Sequence, residues 1–394
     1  MGRPRSADLA IAVIVLAEMF GTSLWFSVNA VADALQTAWR LQPNDLGHLT
    51  SAVQAGFICG TFLFALSGLA DRFPASRVFA VCAVLGAISN AAFITLDGAL
   101  GAALTLRFVT GLALAGIYPI GMKMVMSWAP ERAGQMLGWL VGMLVLGTGL
   151  PHLIRGTGAT PDWQTVFLVA SSLAVLAGAA VLWLGDGPHH GRRARLRWGG
   201  ALQAFAIPRF RAAALGYFGH MWELYAFWTL VPYLVLGARL DTSTEGTYLA
   251  AFLVFLAGAI GCVGGGFISR RRGNANVAMV ALGGSAGLCL LYPLLEGAAP
   301  GLLLLALVIW GGFVVADSPQ FSALAAAACD RRDVGAALAL MNSIGFGISI
   351  VSIELAVRYL PTTGAHIAWL LLPGPLLGLL FMRQTFGPVA DRTE

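Results

Sequence analysis

The sequence predicts an all-α polytopic membrane protein: twelve spanning helices in two pseudo-symmetric six-helix bundles, with both termini cytoplasmic. Three observations carry this expectation: an extreme composition, a succession of apolar runs of bilayer length, and a lopsided distribution of arginine. The 394 residues are 58% hydrophobic and only 11% charged, with a mean hydropathy of +0.78. A soluble domain carries about 25% charged residues, so a water-soluble globule is excluded. Disordered chains, disulfide scaffolds and nucleic-acid-binding folds drop out with it. The pI near 9.2 is explained by topology, and no nucleic-acid partner is expected.

A spanning helix needs ~20 mostly apolar residues. Such runs fall near residues 8–36, 47–70, 76–96, 100–127, 134–155 and 163–184, and again near 211–237, 246–268, 276–296, 301–328, 334–360 and 365–383. The first is too long for a signal peptide and lacks a small-residue cleavage pattern, so it reads as the first span. The stretch GDGPHHGRRARLRWGG at 185–200 is the one sizeable polar interruption and divides the chain nearly in half. The expected organisation is a bundle over 1–185, a basic cytoplasmic linker over 186–208 and a second bundle over 209–394.

Positive charge sets the orientation. With the N-terminus inside, cytoplasmic segments hold 18 of the 24 Lys and Arg residues. External segments hold four (Arg40, Arg155, Arg239 and Arg358), and Arg107 and Lys123 fall inside the fourth run. Both termini are therefore placed in the cytoplasm, and the protein in the cell (inner) membrane as a multi-pass chain. The five cysteines lie in apolar runs or a cytoplasmic link, where packing rather than disulfide bonding is expected. His189 and His190 lack further ligands nearby, so no metal site and no cofactor are expected. No nucleotide-binding loop of the G-x-x-x-x-G-K-[ST] type occurs, which argues against an ATP-driven pump.

The two halves echo each other. Gly68-Leu-Ala-Asp71-Arg72 recurs as Gly266-Phe-Ile-Ser269-Arg270 at an offset of 198, and Pro119 recurs as Pro319 at an offset of 200. The turn Pro130-Glu131-Arg132 falls opposite Asp330-Arg331-Arg332, and Glu18-Met-Phe resembles Glu223-Leu-Tyr. Two parallel six-helix repeats joined by a basic link are an arrangement typical of rocking transporters.

Across essentially its whole length the sequence resembles the major facilitator superfamily. SGLADRFPASR, residues 67–77, is similar to that family's cytoplasmic signature between helices 2 and 3, with Gly68, Asp71, Arg72 and Arg77 on pattern and Ala75 in place of the usual second glycine. Arg107, Gly111 and Gly116 resemble the helix 4 pattern. Gly138, Gly147 and Pro151 partly match a glycine-proline motif of the family's antiporters, and close helix packing explains the same glycines. The resemblance implies that Gly68, Asp71, Arg72, Arg77, Glu131 and Arg132 form a gating motif, with Asp71 reaching the start of the eleventh span near Val334. It also implies that helices 1, 4, 7 and 10 line a central cavity.

Ionisable groups within a span each require a reason. At 1.5 Å per residue, Glu18 lies about 15 Å into the first run and Glu223 about 18 Å into the seventh, both near the midplane. Asp317 lies deeper in the tenth run, and Arg107 in the outer half of the fourth. Helical spacing places Glu18, Thr22, Trp25 and Asn29 on one stripe. By the same spacing His220, Glu223 and Phe227 share a face with Trp228 beside it. Trp310, Asp317 and Phe321 line up in the tenth run, and Arg107 and Tyr118 in the fourth. Glu18, Glu223, His220, Asp317 and Arg107 are the candidate proton-coupling or substrate-binding residues. Thr22, Trp25, Asn29, Tyr118, Phe227, Trp228, Trp310 and Phe321 are the candidate cavity lining. Each group also has a structural reading: buried ion pairing for the acids and Arg107, packing for the aromatics.

The expected activity is secondary transport of a small organic molecule by alternating access, coupled to protons and directed towards export. Desolvation of a midplane carboxyl disfavours its charged form and hydration relieves this, so opening and closing a cavity can move a proton. His220, on the face of Glu223, is expected to relay it. The alternative is proton-coupled uptake of a small anion, with Arg107 and His220 as receptors. A membrane-embedded transferase is less favoured, since no catalytic constellation is visible and the chain is not expected to be an enzyme. The expected partners are a small-molecule substrate, protons and the lipid bilayer, with the chain a monomer.

Overall fold

The computed structural model describes residues 6–67, 69–129, 133–158, 162–188, 198–238, 243–330 and 333–386. Among them there is no strand. The first half contains α1 (Ala7–Thr22), α2 (Ala32–Trp39), α3 (Pro43–Ser67), α4 (Leu69–Arg72), α5 (Ala75–Ala92), α6 (Leu100–Leu114), α7 (Tyr118–Trp128), α8 (Ala133–Gly156) and α9 (Gln164–Leu184). The short α10 (Trp198–Ala204) follows. The second half contains α11 (Pro208–Gly237), α12 (Thr244–Arg272), α13 (Asn274–Leu291), α14 (Pro300–Ala316), α15 (Ser318–Ala328), α16 (Val334–Thr363), α17 (Ala368–Leu371) and α18 (Pro373–Phe386). Residues 189–197 of the expected linker lie outside the described set.

Nine stretches of the described residues are long and apolar enough to cross a bilayer, the longest, Val334–Phe386, running through α16 to α18. Outside this set are α1, of 16 residues, and the 30-residue α11, which carries His220 and Glu223.

Several apolar runs are broken rather than continuous, and three of the breaks bear on the site. α1 stops at Thr22, residues 23–28 turn, and a 3-10 helix spans Asn29–Val31 before α2. The hydroxyls of Thr22, Ser23 and Ser27 donate back to the carbonyls of Glu18 (2.7 Å), Phe20 (2.7 Å) and Ser23 (3.2 Å). Such local bonds compete with the helical ladder. The uninterrupted stripe expected from Glu18 to Asn29 is therefore corrected: helical spacing holds only as far as Thr22. The fourth run breaks between α6 and α7, and the tenth at Asp317 between α14 and α15. Pro119 and Pro319 both sit in the first turn of the helix that follows the break. Proline has no N–H for the carbonyl four residues back; behind Pro319 that carbonyl, Val315, accepts from the Cys262 thiol at 3.1 Å.

Each half packs chiefly on itself: α3 on α6, α5 on α9, and α1 on α8 and α9 in the first; α12 on α14, and α11 on α16 and α18 in the second. Two seams join them, α8 on α12 and α3 on α16. Gly142, Gly149 and Gly156 recur every seven residues along α8 and lie against Val263, Phe255 and Leu249 of α12. A Cβ at 149 would stand 2.5 Å from that of Phe255. Small residues of this kind let two helices approach where lipid removes the hydrophobic drive. Gly138 lies beside Gly266 at the same seam, whereas Gly147 abuts Met19 of α1.

At the end that the charge asymmetry assigns to the outside, polar contacts cross both seams. Ser51 donates to Glu354 at 2.6 Å, and His48 Nε2 lies 3.3 Å from the same carboxylate. Tyr248 of α12 donates to Asp33 of α2 at 2.7 Å, and Arg155, in the same half as Asp33, lies 3.6 Å from that carboxylate.

Candidate functional site

Aromatic side chains from both halves form a row at the level of the break after α1. Trp25 lies 5.1 Å from Phe57 of α3, 5.6 Å from Tyr225 of α11 and 5.9 Å from Phe346 of α16, centroid to centroid. Phe57 and Phe346 meet at 4.5 Å across the seam. Phe26 continues the row to Trp228 and to Phe255 of α12, and His152 of α8 stacks on Phe255 at 5.0 Å. Every one of these side chains is buried.

Polar atoms in this row lack partners. Both amide atoms of Gln54, both ring nitrogens of His152 and Nε1 of Trp25 have none among the described residues. Gln54 stands three residues from both Ser51 and Phe57, on the face of α3 that meets α16. Buried polar groups are nearly always satisfied, so a cluster of exceptions marks a place where a ligand or water supplies the bonds.

Glu18 is fully buried and neither carboxylate oxygen has a partner among the described residues. The space it occupies exists because position 121 is glycine; a Cβ there would collide with Oε2. Tyr118, partly buried, begins the same helix, α7.

Arg107 is buried, and its guanidinium donates to the Leu24 carbonyl (3.1 and 3.2 Å), to Asn90 Oδ1 (3.0 Å) and, in a short contact, to the Trp25 carbonyl. The two carbonyls belong to the stretch just past the end of α1, where the helical ladder no longer runs. Arg107 therefore anchors the break, and with it the backbone of Trp25.

Glu223 faces into the second half. Its Oε1 accepts from Ser285 (2.5 Å), Trp310 Nε1 (2.6 Å) and the Cys289 thiol (3.3 Å). Phe227 packs on Trp310 at 4.4 Å. His220 is brought to Asp317 rather than Glu223, with Nδ1 2.9 Å from Oδ1 and both side chains buried. Phe321 lies 5.9 Å from the His220 ring. Thr22 reaches the Leu144 carbonyl of α8 at 3.4 Å, and Asn29 donates to Thr50 at 3.0 Å. Of the expected gating motif, Arg72 and Arg77 are exposed. Gly68, Glu131 and Arg132, together with the side chain of Asp71, lie outside the described residues. Among the described residues no group of three His, Cys, Asp or Glu could hold a metal ion.

Sequence reasoning picked out Trp25 and Trp228 from the row and missed Phe26, Gln54, Phe57, His152, Tyr225, Phe255 and Phe346. One signal was available: Phe57 and Phe255 stand at the offset of 198 already set by Gly68 and Gly266. His152 carries no such mark, because its importance comes from stacking across the seam.

Comparison with known proteins gives a consistent picture. Residues 11–353 match the sequence profile described as Major Facilitator Superfamily. A protein of Bacillus subtilis (strain 168) named for niacin and nicotinamide transport, NiaP, is 26% identical over 278 residues, 66% of each chain. A quinolone resistance transporter of Acinetobacter baumannii is 30% identical over 153 residues, 36% of this chain and 35% of the relative. The chain's matches thus span less than two thirds of these relatives' own length. Among solved structures, the xylose transporter XylE from E. coli in a partially occluded inward-open conformation superposes with a TM-score of 0.77 at 13% identity, covering 98% of this chain and 99% of the other. That likeness is one of fold.

Proposed function

Because the chain belongs to the Major Facilitator Superfamily, we propose that it is a proton-coupled secondary transporter exporting a small, flat aromatic compound by alternating access. The observation that carries this reading is the aromatic row with its unsatisfied Gln54, His152 and Trp25 groups. Ring faces favour offset stacking with a planar ligand. An amide and an imidazole beside them suit a carboxylate, a carboxamide or a ring nitrogen. The relatives' names support the same class: niacin and nicotinamide are substituted pyridines, and quinolones are fused aromatic acids.

Coupling is assigned first to Glu18. Its oxygens are free of donors, whereas three donors already converge on Glu223 and His220 faces Asp317. A carboxyl that passes between a hydrated and a closed setting gives up and regains a proton as it does so. Uptake of a small anion has less support, since Arg107 and His220 are both engaged elsewhere.

The test is proton movement in proteoliposomes on addition of nicotinate, nicotinamide or a fluoroquinolone. Wild type is expected to move protons with at least one of them, Glu18→Gln to lose the movement, and Glu223→Gln to retain part of it. If wild type shows no flux and no ligand-induced thermal shift with any of the three, the substrate class is wrong. Equal coupling in wild type and Glu18→Gln would remove Glu18 from the mechanism.

A further inference from the structure

On the flank of the second half, away from both seams, α12, α13, α14 and α18 enclose a groove of about 980 Å³. Its walls are apolar: Ile260 and Ile268 of α12, Val280 of α13, Ile309 of α14 and Leu379 of α18. Ile260, Ile268 and Val280 are 64%, 55% and 66% exposed, far from the buried state of a core. Glycines make the floor; a Cβ added at Gly264 would meet nothing within 4 Å. α12, α13 and α14 all belong to stretches with bilayer-spanning hydropathy. An apolar face at that depth meets acyl chains, not water.

One end of the groove is charged. Arg272 and Arg383, in the last turns of α12 and α18, close it together with Asn276. Neither arginine has an ion-pair partner among the described residues. From Ala257 to Arg272 the lining of α12 spans 16 residues, a rise of ~22 Å, which exceeds one leaflet of a ~30 Å hydrocarbon core. The arginines lie at the end where the positive charge of the chain collects, which fits the anionic cytoplasmic leaflet. An anion alone would leave the apolar length empty, and an uncharged chain would leave the guanidinium groups unpaired. An amphiphile with a negative headgroup satisfies both.

We propose that this groove is a binding site for one anionic phospholipid, its phosphate on Arg272 and Arg383 and its acyl chains along α12 and α13. The site is separate from the aromatic row and does not depend on the transported substrate.

Native mass spectrometry of the detergent-purified full chain, titrated with phosphatidylglycerol or phosphatidylcholine, tests it. Wild type is expected to retain one phosphatidylglycerol in preference to phosphatidylcholine. The pair Arg272→Gln and Arg383→Gln should weaken phosphatidylglycerol by about 25-fold, about fivefold or ~1 kcal/mol for each arginine, and leave phosphatidylcholine unchanged. Gly264→Phe, at a position where a Cβ meets nothing within 4 Å, puts bulk on the floor and should weaken both lipids. Inorganic phosphate at matched concentration should displace neither. Equal phosphatidylglycerol affinity in wild type and the double arginine variant, lipid binding indifferent to Gly264→Phe, or displacement by inorganic phosphate would each overturn the proposal.

Discussion

The Ser51 hydroxyl of α3 donates a 2.6 Å hydrogen bond to Oε1 of Glu354 in α16, while Oε2 of that carboxylate lies 3.3 Å from His48 Nε2. Both residues of α3 thus converge on one acid of the other half, at the end where Tyr248 and Asp33 bridge the second seam. With partly exposed groups, the contribution to stability is about 1 kcal/mol or less. Its effect on conformation is larger than that suggests, because the contacts exist only while the halves are together at this end.

Glu354→Ala is accordingly expected to favour separation of α3 from α16. Spin labels at Gln42 and Tyr359, both exposed near the same end, should show a larger long-distance population in double electron–electron resonance. An unchanged distribution would mean that the Glu354 contacts do not hold this end closed, leaving that to the aromatic row and the Tyr248–Asp33 bridge.

Arg107→Ala leaves the Trp25 carbonyl and Oδ1 of Asn90 without their guanidinium donor, while the Leu24 carbonyl keeps the Ser27 hydroxyl at 3.3 Å. A charged hydrogen bond contributes roughly 1.5–3 kcal/mol, so a loss of about 3 kcal/mol in denaturant unfolding in detergent is expected. Arg107→Lys should recover only part of it, since an ammonium lacks the planar fork that serves two carbonyls and an amide together.

Glu223→Ala removes the shared acceptor of Ser285 and Trp310. Two buried donors are left unsatisfied, at about 1–3 kcal/mol each. Glu223→Gln keeps an acceptor oxygen and should lose far less. A double-mutant cycle with Trp310→Phe measures the pair directly; a coupling energy near zero would remove the hydrogen bond from the account.

Orientation can be checked independently of activity. A reporter fused after Arg197 is expected to read cytoplasmic and one near Asp162 external, from the arginine asymmetry. Both on one side would rule out the twelve-span reading.

Composition, arginine placement and the internal repeat were enough to read the helical membrane fold, because they reflect the solvent rather than any one contact. Pro119 and Pro319 signalled a shared irregularity, and both stand at a helix start. The break after Thr22 was hidden, since residues 23–28 fit a helix by hydropathy; the hydroxyls that favour it are local, but the guanidinium that holds its carbonyls comes from α6, remote in sequence. Candidate residues were found by polarity, which located Glu18, His220, Glu223, Asp317 and Arg107 without giving their partners. Helical spacing put His220 beside Glu223, but a side chain's partner depends on which neighbouring helix it meets. α14 brings Asp317 to His220, and α13 with α14 brings Ser285 and Trp310 to Glu223. Phe57, His152 and Phe346 look like ordinary core residues in one dimension, and only the seams give them a role.

The anchoring of Leu24 and Trp25 by Arg107 has a mechanical consequence. The backbone at Leu24 and Trp25 is tied by Arg107 to α6 of the first half. Trp25, stacked on Tyr225, and Phe26, edge-on to Trp228 and Phe255, therefore carry the first half's anchored backbone into direct ring contact with the second half. Any parting of the two halves at this level has to break these ring contacts, so the number of rings in the row bears on how readily the halves separate.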